Sequence, residues 1–320
     1  MKLIISILFI LFNTVYAQQF DLVQLYRDKG LAEVEKKLNE ELTKYEYWQY
    51  YLSSKDVSNG YYESIRYIMI CEKDLKDMRI YDAKEKRHLF SSSVYTGKIN
   101  GDKHKEGDLK TPVGAYHLTK KLKNVDSFYG PLAITTNYPN IFDKVRGKTG
   151  HGIWIHGVPN DERREEFTKG CIALDNGNIK RLDRTINIDN SMLVISESEF
   201  VQATTNEISA ALSSLFKWRL SWEKGDYDTY ISFYNKNFKR TNGYDLKQFK
   251  RYKKRIFDKN EKKEIKFSNI NVIPYPNENN IKLFKIVLDE VYKTKTHTFE
   301  GKKELYVQIK DNKFSILTES

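Results

Sequence analysis

The chain has 320 residues, 40% of them hydrophobic and 13% aromatic, with a formal net charge of +11. That composition excludes a disordered or low-complexity chain, and the length suits two domains with an added helical arm rather than one domain. The charge is uneven. Residues 201–320 hold 24 Lys and Arg against 15 Asp and Glu, so most of the excess lies in the last third, where it fits either an anionic partner or a solvated surface.

Residues 1–17 have the pattern of a secretory signal peptide: Lys2, an apolar run over 3–12, then Val15-Tyr16-Ala17 at the cleavage positions. The run is short for a membrane span. The expectation is an exported, periplasmic protein with no stable membrane insertion after cleavage. Residues 18–58 read as a helical arm. Leu31, Val34, Leu38, Leu42, Tyr45 and Leu52 recur at helical spacings, and Gly30 separates a short helix from a long one. This stripe packs on the chain's own next domain or pairs with a second copy in a homodimer.

Residues 59–198 change to short strands and Gly-led turns, the pattern of a β-rich domain. Strand-like runs cover 65–71, 78–82 and 88–96. Thr111-Pro112-Val113-Gly114 reads as a stiff turn entering a strand. Gly130-Pro131 and Tyr138-Pro139 mark two further turns.

Residues 152–156 alternate as a strand does, with Ile153 and Ile155 on the core face and Trp154 and His156 on the other. Gly157 ends that strand. A charged segment over 160–167 follows, read as a solvated loop and a candidate lid. The chain returns at Thr168-Lys169-Gly170-Cys171-Ile172-Ala173-Leu174, where Cys171 and Ala173 share one face and Ile172 and Leu174 the core face. Two such strands side by side put His156 next to Cys171. The pairing has a chemical purpose. A free thiol is only about 3% thiolate at pH 7, and a neighbouring imidazole takes its proton. Gly170 lets the backbone turn closely, so that N–H groups beside it face a developing oxyanion. No Asp or Asn stands out to orient His156, and a backbone carbonyl near Gly157 is assigned that part. The chain holds two cysteines. A bridge between them would consume the candidate nucleophile, so Cys71, in an apolar run, is expected to be a buried free thiol. No HExxH or CxxC pattern occurs, so no metal or other cofactor is expected.

His156-Gly157 followed by Thr168-Lys169-Gly170-Cys171-Ile172, with Thr111-Pro112-Val113-Gly114 upstream, resembles the signature of the L,D-transpeptidase catalytic domain. That resemblance implies Cys171 as nucleophile, His156 as general base and Gly170 shaping the oxyanion site. It implies Trp154, Gly157, Thr168, Lys169, Ala173, Thr111 and Tyr138 around a peptidoglycan stem peptide, with no nucleic-acid partner. Two positions depart from the pattern. Lys169 stands where many members have His, and Ala173 where many have an Arg that meets a substrate carboxylate.

Residues 205–320 resemble an NTF2-like domain: a helix over 208–222, Gly225-Asp226-Tyr227, a basic helix over 246–257, then strands alternating at Phe284, Ile286, Leu288 and at Leu305, Val307, Ile309. The whole is a multidomain α+β chain of helical arm, β-rich catalytic domain and α+β cone. That order resembles the L,D-carboxypeptidases that set helical cell shape in Helicobacter and Campylobacter. It implies removal of the terminal D-Ala from tetrapeptide stems. The rival expectations are 3-3 cross-linking by the same acyl-enzyme, and a non-catalytic wall-binding protein.

Overall fold

A computed structural model of the chain describes residues 21–159 and 166–320. The expected signal peptide, and residues 160–165 of the expected lid, lie outside the described residues.

The arm is helical over 21–29 (α1), Leu31–Leu42 (α2) and Tyr45–Leu52 (α3), with the first break at Gly30 as expected and a second at 43–44. Its two ends behave differently. α3 buries Trp48 and Leu52, and the Trp48 ring stacks on Phe216 at 5.7 Å. α2 buries nothing, and Leu31 is 68% exposed and Leu38 45%. The arm therefore packs on its own chain through α3 and the end of α2, where Leu42 meets the same core, and leaves Leu31 and Leu38 exposed.

The β-rich domain is an eight-stranded sheet in the order β4-β3-β2-β9-β5-β6-β7-β8. Its strands are β2 (Tyr67–Glu72), β3 (Asp77–Asp82), β4 (Arg87–Ser93), β5 (Gly114–Leu122), β6 (Ala133–Thr136), β7 (Trp154–His156), β8 (Ile172–Ala173) and β9 (Ser191–Ser196), with helices α4 (Ile141–Val145) before β7 and α5 (Asn176–Thr185) after β8. The sheet curls back on itself, because Tyr95 and Ala173 exchange both backbone hydrogen bonds at 2.9 Å. The C-terminal unit packs α6 (Thr205–Lys224), α7 (Tyr227–Ser232) and α8 (Leu246–Phe257) into a curved antiparallel sheet. Its strands are β10 (Glu264–Pro274), β11 (Leu283–Lys293), β12 (Thr298–Lys310) and β13 (Lys313–Glu319). Thr204 with Glu207, and Asp245 with Gln248, form capping boxes that start α6 and α8. β1 (Tyr61–Tyr62), the first strand after the arm, pairs with β10 and so belongs to the C-terminal sheet rather than to the β-rich domain that follows it in sequence.

The two sheets share a core. Ile68, Ile70, Met192 and Val194 of β2 and β9 pack against Ile273, Leu283, Val287 and Tyr306 of the C-terminal sheet. Alternate residues of the same strands face inward on each side: Met69, Cys71, Leu193 and Ile195 on one, Phe284, Ile286, Leu288, Leu305, Val307 and Ile309 on the other. Polar groups cross this seam. His117 Nε2 and Lys285 Nζ each lie 3.1 Å from Glu304 Oε1. Burial lowers the His117 imidazole, with Lys285 adding to the effect. Burial alone would raise the Glu304 carboxyl, but Lys285 and the His117 hydrogen bond outweigh it and hold the group at about 2.

Both shifts make the seam acid-labile. His117 takes up its proton more readily unfolded, so its share of stability falls below about pH 6.5. Glu304 contributes fully above its ordinary 4.5 and loses that contribution as the pH falls towards 2. Glu304→Gln is expected to cost about 3–5 kcal/mol at neutral pH, because it leaves Lys285 buried without its counter-charge. Its thermal midpoint should fall less steeply than wild type below pH 4.5. Thermal melts of both proteins across pH 3–8 measure this.

Candidate active site

The local chain builds the site from two short strands. β7 and β8 run parallel with Ile155 opposite Ile172 and His156 opposite Ala173. Ile153, Ile155, Ile172 and Leu174 all enter the apolar core. The period of two then places His156 and Cys171 on the other face. Cys171 lies just before β8 and is half-buried, with Sγ 3.5 Å from the Gly152 carbonyl.

His156 is buried, and its Nδ1 lies 2.6 Å from the Gly157 carbonyl. A carbonyl only accepts, so Nδ1 carries the hydrogen and Nε2 is the ring nitrogen that can accept a proton. A backbone carbonyl at Gly157 thus orients the ring, as the sequence led us to expect. The ring is walled by a 3₁₀ turn, Ser127–Tyr129, that the sequence did not single out. Tyr129 meets the imidazole edge-on at 5.1 Å and lies tilted against the Trp154 ring at 5.0 Å, and Phe128 lies 6.5 Å from the imidazole.

Gly170 sits at φ +132, and a Cβ there would lie 2.7 Å from the Lys110 carbonyl. Only glycine allows that approach. Its N–H donates to Thr168 Oγ1 at 3.0 Å, whose hydroxyl donates to the Cys171 carbonyl at 2.7 Å. The Gly170 amide is therefore engaged within the turn, and the residue shapes the loop rather than offering its own N–H to an oxyanion. Thr111, expected to meet substrate, is fully buried. It accepts from the Gly97 N–H at 2.8 Å and donates to the Gly170 carbonyl at 2.9 Å, and so acts as an internal bracket. Tyr138 is likewise buried, donating to the Lys103 carbonyl at 3.2 Å. Ala173 is buried in its bridge with Tyr95, whereas Lys169 is exposed beside Cys171.

Cys71 is a buried free thiol in β2, pushed up to about 12 by burial, which leaves it protonated and inert. Asp102, His104 and Glu278 bring ligand atoms within 4.8 Å of one another. Both Asp102 oxygens are already bonded, one to the Val113 N–H and the other to Lys148, and Glu278 lies 3.2 Å from His104 Nε2.

The cone of the C-terminal unit holds a cavity of about 450 Å³ that no sequence motif announced. Trp222, Tyr292, Arg240, Lys253, Lys303 and Glu319 line it. Burial pushes Lys253 down to about 8.

Residues 66–195 match the L,D-transpeptidase catalytic domain, and residues 210–320 match the Cds6 C-terminal NTF2-like domain. The crystal structure of Pgp2, a helical cell shape determining protein from Campylobacter jejuni, is 41% identical with a TM-score of 0.82. That similarity covers 87% of this chain and 99% of Pgp2. Bd1075 of Bdellovibrio bacteriovorus is 25% identical with a TM-score of 0.66, covering 82% of this chain and 96% of that one. Escherichia coli YafK, described under the same family's name, is 32% identical over 88 residues. Those residues make up 28% of this chain and 32% of YafK, so the match spans about a third of that relative.

A curled sheet carrying a Cys and a His at neighbouring strands, joined to an NTF2-like domain, defines a two-part α+β protein. The chain belongs to the L,D-transpeptidase family, in the form that carries a C-terminal NTF2-like domain. Among the described residues, no helix is long and apolar enough to cross a membrane.

Thr111→Val is expected to remove the bracket on Gly170 and cost about 1–3 kcal/mol, since the half-buried Gly97 N–H and the buried Gly170 carbonyl both lose a partner. Urea denaturation of the purified variant measures the loss.

Proposed function

We propose that the chain is a peptidoglycan L,D-carboxypeptidase that removes the terminal D-Ala from tetrapeptide stems and acts on cell shape outside the cytoplasm. The observation that carries this reading is the hydrogen bond from His156 Nδ1 to the Gly157 carbonyl. In this reading Nε2 is the proton-transfer atom, on the strand beside Cys171. The similarity to Pgp2 over nearly all of that chain supports the link to cell shape.

In this reading the Cys171 thiolate attacks the carbonyl of the diamino acid that precedes D-Ala. The C–N bond breaks, His156 protonates the departing D-Ala amine, and a thioester remains. Water, deprotonated by the same imidazole, adds to the thioester. The tripeptide leaves and the thiol is restored. The sheet buries Ala173 where many relatives have Arg, so the stem carboxylates are met elsewhere. In this reading exposed Lys169, next to the nucleophile, meets one. The uncovered Leu31 and Leu38 of α2 offer a surface for pairing two copies of the chain, which light scattering would detect.

Incubation with a monomeric tetrapeptide muropeptide should yield free D-Ala and tripeptide, read by mass spectrometry. Cys171→Ala should lower the rate by at least about 10³-fold. Formation of 3-3 cross-linked dimers instead would assign transpeptidation. An unreactive Cys171 with retained sacculus binding would assign a non-catalytic wall protein.

A further inference from the structure

The carbonyl that aims His156 is itself held in place by a side chain five positions beyond Cys171. Asn176, the first residue of α5 (Asn176–Thr185), reaches across to Val158. Its Oδ1 accepts the Val158 N–H at 2.9 Å and its Nδ2 donates to the Val158 carbonyl at 2.8 Å. This is the geometry of one rung of a β-ladder, made by a side-chain amide. The rung fixes the peptide that follows Gly157, the residue whose carbonyl takes the His156 Nδ1–H.

The fit around this amide is close on two sides. A Cβ on Gly157 would lie 2.4 Å from Asn176 Oδ1, and one on Gly130 would lie 2.5 Å from the same atom. Gly130 also follows Tyr129, whose ring walls the imidazole and whose carbonyl accepts the Gly157 N–H at 3.0 Å. One amide therefore locks together the strand that bears the histidine, the turn that covers it and the helix that leaves the cysteine strand. By contrast a Cβ on Gly177, the next residue of α5, meets nothing within 4 Å.

We infer that Asn176 is the positioning residue for His156, acting through the Val158 peptide and the Gly157 carbonyl. This deepens the carboxypeptidase reading and rests on it for the catalytic consequence. An amide is required, because the rung needs a donor and an acceptor on one planar group. The substitution Asn176→Asp would keep the size but present a carboxylate oxygen to the Val158 carbonyl.

The test uses the full-length protein with ¹⁵N-labelled histidine, in four forms: wild type, Asn176→Ala, Asn176→Asp and Gly177→Ala. In wild type the His156 Nδ1 proton, assigned by its loss in His156→Ala, should appear downfield and exchange slowly. Both Asn176 variants should exchange it at least roughly tenfold faster. They should also lose about 10²-fold in kcat for D-Ala release, with KM little changed. Gly177→Ala should match wild type in both readouts. Asn176→Asp preserves volume and serves if Asn176→Ala fails to fold. A folded Asn176→Asp or Asn176→Ala protein with the wild-type Nδ1 proton and wild-type kcat would overturn the inference. A wild-type protein that releases no D-Ala would instead sink the carboxypeptidase reading, while the Nδ1 proton would still decide the part played by Asn176.

Discussion

The register between β7 and β8 is the constraint on which the site depends. The contact is only two residues long on each side, with Ile155 opposite Ile172 and His156 opposite Ala173. Four apolar side chains fix it from below: Ile153, Ile155, Ile172 and Leu174. A slip of one residue would turn the imidazole into that core and the isoleucines out of it. So short a ladder cannot hold itself. Tyr95 grips Ala173 from the far side, and Thr111 and Thr168 hold the Gly170 turn by their hydroxyls. The polar residues around Cys171 thus divide into those that can meet a substrate and those that fix the loop. Burial tells them apart where residue type does not.

The second constraint is the shared core between the two sheets. β2 and β9 are buried on both faces, one by the core beneath the site and the other by the C-terminal sheet. The C-terminal unit is therefore joined to the catalytic unit by more than the 197–204 segment. β1 enters the C-terminal sheet from the N-terminal side, and Asn271 accepts backbone N–H groups of Glu63, Ser64 and Ile65 through its side chain. His117, Glu304 and Lys285 place three ionisable groups in this seam. The Glu304–Lys285 charge pair, hydrogen-bonded to His117, makes their burial tolerable.

The positive charge of the last third separates into two environments. Lys247, Lys250, Arg251 and Arg255 of α8 are exposed to solvent, while Lys253 of the same helix turns inward to the cone cavity. Inside, Lys253 lies 4.5 Å from the Trp222 ring centroid, and Lys303 lies 3.7 Å from both Glu290 and Glu319. Net charge alone had presented these lysines as one basic surface.

Much was legible in the amino-acid order. Period-two alternation identified the faces of β7, β8, β11 and β12, because a strand must put alternate residues on opposite sides. The apolar and basic pattern located α6 and α8 to within a few residues, while their capping boxes appeared only in the structure. Motif order identified the family, and the want of an obvious acidic or amide residue in the motifs to orient His156 pointed to a carbonyl. Other features were decided only by tertiary structure. Thr111 and Tyr138 look like cleft residues in sequence but are buried brackets, since burial is a property of neighbours far along the chain. Tyr129, Gly130 and Asn176 carry no motif, yet they surround the imidazole because the chain brings residues 126–131, 156–158 and 176 together. Sequence by itself determined the strands that alternation marks and which face of each is apolar, for these follow from local backbone geometry. What covers the opposite face, and which amide holds which peptide, was settled by long-range packing that no local pattern encodes.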